Sequence, residues 1–354
     1  MGARDDPDLA GGGGAVSTLP GRDRLVSRIV RSWRELTGGT SRAIPDVDRR
    51  TLIACSAGAD SSALVLALSS ATREIAVAHV VHDLRAPAEV RADLEAASEL
   101  AASLHLPFVQ ASIQPAAEGG NAEGQARRLR YRALEGLARE TACGFVATAH
   151  HADDQLETML MALARGAGPG GLAGIAHARP LGDGVRLIRP MLSVTRADAH
   201  AICRHAKWTW REDATNRDET RARAAIRHTV IPALERVRPG VAMRAVRAAE
   251  LQAGAAELID QAVDTFYSRA SRRESQLTWD RRTICQAPPI VLGGLIRRAV
   301  ADLGDGCGLD RINGRTIDSI VRAVRGQSGR TRVFQLHALV VTVSKMDLTI
   351  GKDS

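Results

Sequence analysis

Apolar residues recur along the first half of the chain in two alternating rhythms. Residues 22–36 place Leu25, Ile29, Trp33 and Leu36 at helical spacing, which predicts an amphipathic helix leading into a domain. A short apolar run over 51–55 ends in a small-residue turn, 56–59, and an apolar helical stretch over 61–68 follows. Strand, turn and helix in that order open a βαβ unit. The alternation continues with a strand over 74–81, a helix over 90–104, a strand over 108–113 and an arginine-rich helix over 123–140. A strand over 144–149 and a helix over 153–165, stopped by Gly166, complete it. Strands separated by helices of this length predict an α/β fold, a doubly wound parallel sheet with helices on both faces. Ligands in such sheets bind at the carboxyl ends of the strands.

The rhythm is lost over 166–192, where Gly166, Gly168, Gly170, Gly171 and Gly174 predict a loop, with an apolar run around Arg189-Pro190 after it. After Pro239-Gly240 the character changes again. One long helical stretch over 241–269 precedes helices over 290–303 and 312–324 and a strand-like tail over 333–350. The expected organisation is a flexible tail over 1–19, a catalytic domain over 20–239, and a smaller, mainly helical domain over 240–354. No apolar run approaches the roughly 18 residues that a membrane span needs. The first twenty residues carry Asp5, Asp6 and Asp8 and no apolar core, so they do not read as a signal peptide. A cytoplasmic protein without a membrane partner is expected.

Charge changes the picture. The 354 residues hold 48 basic and 40 acidic side chains, a net charge of +8, and only Lys207, Lys345 and Lys352 among the basic ones are lysines. Arginine presents a planar fork of donors that suits phosphates, so the excess points to a nucleic-acid partner, although a GC-rich genome would write the same composition. Cys55, Cys143, Cys203, Cys285 and Cys307 are scattered and odd in number, which disfavours a disulfide framework, a zinc ribbon or a four-cysteine iron–sulfur site.

Two segments carry candidate chemistry. Ser56-Ala57-Gly58-Ala59-Asp60-Ser61 sits between a buried strand and a helix. Small residues there let backbone N–H groups approach phosphate oxygens, and the helix amino end adds partial positive charge. Asp60 cannot bind phosphate directly and would need Mg²⁺ as a bridge; the plain structural alternative makes it a helix N-cap. The second segment, from Thr148 through His150, His151, Asp153, Asp154 and Gln155 to Glu157 and Thr158, begins at a strand end and runs into a helix. Asp154 and Glu157 are three apart and Asp153 and Glu157 four apart, so the acids share a face.

The first segment resembles the S-G-G-x-D-S loop of the PP-loop ATP pyrophosphatases, a Rossmann-like fold, with Ala57 in place of a glycine. That methyl group is expected to fit if the backbone stays at negative φ. The T-A-H-H-x-D-D-Q-x-E-T run resembles the tRNA(Ile)-lysidine synthases. So do residues 79–85, Asn121-Ala122-Glu123 with Ala126-Arg127 and Arg130-Tyr131, 171–175, Arg189-Pro190, 210–216 and 223–234. Asp83 and Ala224 depart from that pattern.

The resemblance implies a ligase that joins L-lysine to C2 of cytidine 34 in the CAU anticodon of tRNA(Ile), through an O2-adenylated cytidine, with ATP as substrate and Mg²⁺. It implies that Ser56, Ala57, Gly58, Ala59, Asp60 and Ser61 hold ATP, with Asp60 on the metal. Arg127 and His150 would neutralise charge on the α-phosphate, Asp154 and Glu157 would hold the lysine ammonium, and Arg223 would serve lysine or the phosphates. Arginine clusters at 269–273, 281–282, 297–298 and 322–332 make residues 240–354 the expected tRNA-binding domain. A homodimer is compatible with all of this. A tRNA thiolase, a small-metabolite synthetase and a non-catalytic RNA-binding protein are the competing readings. The scattered cysteines, the polar segment at 148–158 and the intact Asp60 speak against each in turn.

Overall fold

The computed structural model describes residues 23–39, 44–82, 86–114, 122–182, 184–211, 222–304, 314–326 and 328–352. The expected tail at 1–19, Asp83 and Arg85, Asn121, the 212–216 part of the 210–216 motif and Cys307 lie outside them. The chain divides into two compact units, Met1–Glu250 and Leu251–Ser354. The division falls inside a long helix rather than at Pro239, because that helix's first turns pack within the first unit: Ala242, Ala245 and Val246 bury against Ala152 and Leu156.

The first unit is built in the order α1 (Arg24–Leu36), β1 (Thr51–Ala54), α2 (Ala59–Ser69), β2 (Ile75–His82), α3 (Pro87–Ser103), β3 (Phe108–Ile113), α4 (Ala122–Glu140), β4 (Phe145–Ala147), α5 (Ala152–Ala164) and α6 (Pro169–Leu172). It continues through β5 (Ala178–Gly182), β6 (Val185–Ile188), α7 (Arg196–His205), α8 (Ala222–Ala225), a π-helical turn at Ile226–Val230 and α9 (Ile231–Val237) into α10 (Val241–Tyr267). The sheet order is β3-β2-β1-β4-β6-β5. Every pairing is parallel except that of the edge strand β5, which forms an antiparallel hairpin with β6. The loss of rhythm over 166–192 predicts neither strand of this hairpin.

Alternation along the strands decides which layer each residue joins. Ile53 and Val77 face one side, with α1, α2, α3 and α7, where Trp33, Leu64, Leu100 and Ile202 are buried. Leu52, Ala76 and Ala78 face the other, where Leu134 and Leu137 of α4 pack on Val146 and Leu187. Helix α2 is apolar all round because sheet, α1 and α7 enclose it. Strand order reverses between β1 and β4, and the carboxyl ends of those two strands open a crevice there.

The second unit pairs helices with a five-stranded antiparallel sheet, β7-β8-β11-β10-β9. Its elements are β7 (Ser271–Arg273), β8 (Gln276–Asp280), α11 (Arg281–Ile284), α12 (Pro289–Leu303), α13 (Gly314–Arg325), β9 (Arg332–Leu336), β10 (Leu339–Val343) and β11 (Asp347–Lys352). The tail read as strand-like is three strands, and β7 and β8 join them. The apolar α12 and one face of the amphipathic α13 cover the sheet, with Leu295, Ile296 and Ile320 in one core with Val341 of β10.

Arg281, expected among the tRNA contacts, is buried here. Its Nε donates to the carbonyl of Val324 (2.9 Å), Nη2 to Ala323 (2.8 Å) and Gly326, and Nη1 to Ser344 (2.7 Å) and Ser328 (3.3 Å). These acceptors include the last carbonyls of α13, which lack intrahelical partners, and a cation also suits that end of the helix dipole. Arg272 pairs with Asp302 and Arg298 with Asp264, so these arginines are also engaged within the unit. Arg281→Lys keeps the charge but cannot reach both sets of carbonyls, and should cost about 2–4 kcal/mol of stability. Urea unfolding of the full chain, followed by tryptophan fluorescence, would measure this, and a loss under ~1 kcal/mol would show that the carbonyls find other donors.

Candidate active site

The loop after β1 is held by its own serines. Ser61 Oγ donates to the Gly58 carbonyl (3.1 Å), accepts from the Ser56 amide (3.1 Å) and lies 3.2 Å from Ser56 Oγ. Gly58 is the N-cap of α2, and no side chain caps that helix. Its first-turn N–H groups therefore point at the crevice as an anion cradle. Behind the loop, His79 Nδ1 donates to the Cys55 carbonyl (2.8 Å) and Cys203 Sγ to that of Ala59 (3.3 Å). Burial pushes the Cys203 thiol up to about 12, which makes it an inert wedge between α7 and the loop.

Ala57 departs from expectation. Its φ is +63°, in the left-handed region, and the residue is 3% exposed. That backbone conformation is held by the Arg211 amide, which donates to the Ala57 carbonyl (3.1 Å), and Arg211 is anchored by its Nε on Asp93 (3.0 Å).

Asp60 is not a cap. It stands in the first turn of α2, with Oδ2 3.4 Å from His151 Nε2, while Oδ1 is buried with no hydrogen-bond partner among the described residues. Burial alone would raise its pKa, but the hydrogen bond and charge of His151, with Arg196 and His200 beyond, bring it below the ordinary carboxylate value. A buried, unpartnered carboxylate oxygen beside an anion cradle fits a hard cation such as Mg²⁺, with phosphate oxygens supplying other ligands.

The loop after β4 delivers the second group. His151 is the N-cap of α5 and accepts from the Asp154 amide, while Asp154 Oδ2 accepts from the His151 amide (3.0 Å). Its Nδ1 also lies 3.5 Å from Asp153 and 3.6 Å from Asp154. Burial disfavours a charged ring here, yet the hydrogen bond to Asp60 and the charges of Asp154, Asp60 and Asp153 outweigh it, so the pKa is raised. Asp153 Oδ2 accepts from the Arg196 amide (2.8 Å) and so ties α5 to α7.

His150 does not arrive as a cation. It is bound to Thr148 Oγ1 (3.0 Å), and burial, opposed by Asp154 and reinforced by Arg189, Arg127 and Arg223, pushes it down to about 4. It is neutral near pH 7, a hydrogen-bonding group rather than the charge neutraliser expected. Arg127 is exposed on α4, its guanidinium 5.3 Å from the Tyr131 ring centroid.

Glu157 corrects the expected lysine cradle. It is 1% exposed, and both of its oxygens are occupied: Arg227 donates through Nε to Oε1 (2.5 Å) and through Nη2 to Oε2 (3.0 Å), and Arg223 Nε donates to Oε2 (3.0 Å). Three donors fill most of its acceptor sites, and its burial leaves little room for an ammonium ion to approach. Asp154 is freer, with Oδ1 3.5 Å from Arg227 Nη2. Arg223 thus faces the acidic pair, with its terminal nitrogens beyond the bond to Glu157. Arg227 is the residue that sequence reasoning missed; its place four positions after Arg223 on a helical stretch was the available signal. The π turn at Ile226–Val230 begins just before it, a feature frequent at functional sites.

Two strand-end loops that meet around Asp60 and His151, at the reversal of a parallel sheet, are the geometry of a nucleotide site. Residues 30–234 match the PP-loop domain family. A tRNA(Ile)-lysidine synthase from Bordetella bronchiseptica is 38% identical over 255 residues, covering 69% of this chain and 73% of that protein. The chain belongs to the tRNA(Ile)-lysidine synthase family. The relative from Geobacter sulfurreducens is 34% identical over 317 residues, 86% of this chain and 65% of that protein. The one from Rhodopirellula baltica is 35% identical over 256 residues, 66% of this chain and 63% of that protein. The chain therefore spans about two thirds of the length of these two relatives. Among solved structures, a U34-tRNA thiolase from Methanococcus maripaludis aligns with a TM-score of 0.50 at 14% identity, over 64% of this chain and 78% of that one, a likeness of fold.

Ala57 gives this site a direct test. Ala57→Gly removes the left-handed strain and should hold or raise stability by up to ~1 kcal/mol, whereas Ala57→Val adds a β-branched group to a buried positive-φ position and should cost about 2–4 kcal/mol. Thermal unfolding of both variants would check the pair, and a strongly destabilised glycine variant would mean that the methyl group's packing outweighs the strain.

Proposed function

We propose that the chain joins L-lysine to C2 of cytidine 34 in the CAU anticodon of tRNA(Ile), in the cytoplasm, through an O2-adenylated cytidine. The observation that carries this reading is the meeting of the 56–61 cradle with a half-open acidic group held by Arg223 and Arg227. The cradle and Asp60 suit the triphosphate, and Mg²⁺ held by Asp60 Oδ1 would offset its charge. The cytidine O2 attacks the α-phosphorus and diphosphate leaves; the lysine ε-nitrogen then bonds to C2, the C2–O bond breaks, and AMP departs with that oxygen.

Asp154 is the better partner for the lysine ammonium, because among the described residues its Oδ1 has only one long contact. Glu157 acts through Arg223 and Arg227, fixing the two guanidiniums that close the acidic side and leaving terminal nitrogens of Arg223 for the lysine carboxylate. Neutral His150 can donate to a phosphate oxygen or accept a proton without first losing one. No helix among the described residues is long and apolar enough to cross a membrane, and a phosphate-rich RNA partner fits the arginine excess.

Purified protein supplied with tRNA(Ile) CAU transcript, ATP and radiolabelled lysine should place label on the RNA, and a transcript with guanosine at position 34 should take none. Asp154→Asn should still form adenylated RNA while lysine use falls about 30- to 1,000-fold, the equivalent of about 2–4 kcal/mol for losing a charge-assisted contact. Joint collapse of adenylation and lysine transfer would assign Asp154 to the nucleotide instead.

A further inference from the structure

A second basic cluster lies at the β6–β5 edge of the sheet. Arg189 follows β6 at its carboxyl end and is only 3% exposed. Its backbone amide donates to the His177 carbonyl (2.9 Å) and its Nη1 to that of Ala176 (2.5 Å), while Nε is buried with no acceptor among the described residues. Burial disfavours the Arg189 charge, and Tyr131 of α4 supports it against Arg179 and Arg127. Those two arginines stack on the same Tyr131 ring, Arg179 at 4.8 Å and Arg127 at 5.3 Å from its centroid. Among the described residues, none of the three arginines forms an ion pair with a carboxylate. Arg281, by contrast, uses all three of its nitrogens on carbonyls.

Two guanidiniums on one aromatic ring, with the buried Arg189 and its unused donor beside the same tyrosine, form a built site for an anion. The sheet order indicates which anion. Arg179 stands on β5, separated from β1 and its cradle by β4 and β6. Three strand spacings amount to about 14 Å, beyond the span of a triphosphate anchored at the loop. A nucleic-acid strand, unlike a nucleotide, carries further phosphates at such distances.

We propose that Arg179 and Arg189, braced with Arg127 on Tyr131, hold a backbone phosphodiester of the RNA strand next to the cytidine being modified. This rests on the RNA substrate of the preceding section. The contact positions the strand without reading its sequence. Arg189 supplies a fixed donor below, and Arg179, half-buried, supplies the outer one.

The test uses the full chain and the tRNA(Ile) CAU transcript. Arg179→Gln should weaken transcript binding about ten-fold and flatten the slope of log K against log salt by about 0.7, the value for one single-strand phosphate contact. The KM for ATP at saturating transcript should stay unchanged. Arg179→Lys should restore most of the salt slope. Arg189→Lys, checked for folding by thermal unfolding, should act in the same direction. Transcripts carrying a neutral methylphosphonate at single linkages beside position 34 should lose the same affinity with the unsubstituted protein, and Arg179→Gln should add nothing at the matching linkage. A raised KM for ATP with unchanged RNA binding would assign the cluster to the nucleotide and overturn the proposal. So would Arg179→Gln and Arg189→Lys that fold normally and change neither. A transcript that binds in this way but never receives lysine would instead overturn the reaction and leave the phosphate site standing.

Discussion

The contact between His151 and Asp60 joins the loop after β1 to the loop after β4, and much of the site's geometry depends on it. Three carboxylates, those of Asp60, Asp153 and Asp154, lie within 3.6 Å of the one buried ring. Without a positive partner, such a convergence would drive one or more of them to protonate or to move apart. The imidazole, its pKa raised, offsets their charge when protonated, and its backbone amide, donating to Asp154 Oδ2, also starts α5. Position and electrostatics are thus set by the same residue. Asp153 extends the arrangement to α7 through the Arg196 amide, so three helix amino ends are registered against one another around the crevice.

Arginine serves this protein in three different ways, and composition alone does not separate them. Arg281 is a helix cap buried in the second unit. Arg49 does the same work in the first, donating to the carbonyls of Arg34 (2.8 Å) and Gly39 (2.7 Å) behind α1. Arg223 and Arg227 neutralise a buried carboxylate. The cluster on Tyr131 keeps donor capacity without an acidic partner among the described residues. A net charge of +8 therefore overstates the surface available to a polyanion if every cation is counted alike.

Much of the first unit was legible in the sequence because its strands and helices differ in period. β3 matches its expected range of 108–113, and α2, α3 and α5 fall within a few residues of theirs. The β5–β6 hairpin was not legible: its strands are four and five residues long and are interrupted by Pro180, Gly182 and alternating arginines. The same brevity hid β7 and β8. At the site, the motifs located Asp60, His150, Asp154 and Glu157, since each lies on a strand end or the helix after it. The guanidiniums on Glu157 come from 66 and 70 positions away, a distance that periodicity cannot bridge. The positive φ of Ala57 was hidden for a different reason, because alanine by itself predicts the opposite sign.

That alanine bears on how the loop meets its ligand. Glycine at such a position samples many conformations when no ligand is present, and binding must then select one of them. Here the methyl group excludes most alternatives, and the Arg211 amide and the paired serines hold the remaining one. The conformational entropy of ordering the loop is met during folding, and the strain appears in the stability of the free protein rather than in its affinity. The cradle is accordingly preorganised, and its amides stand in place before any phosphate arrives.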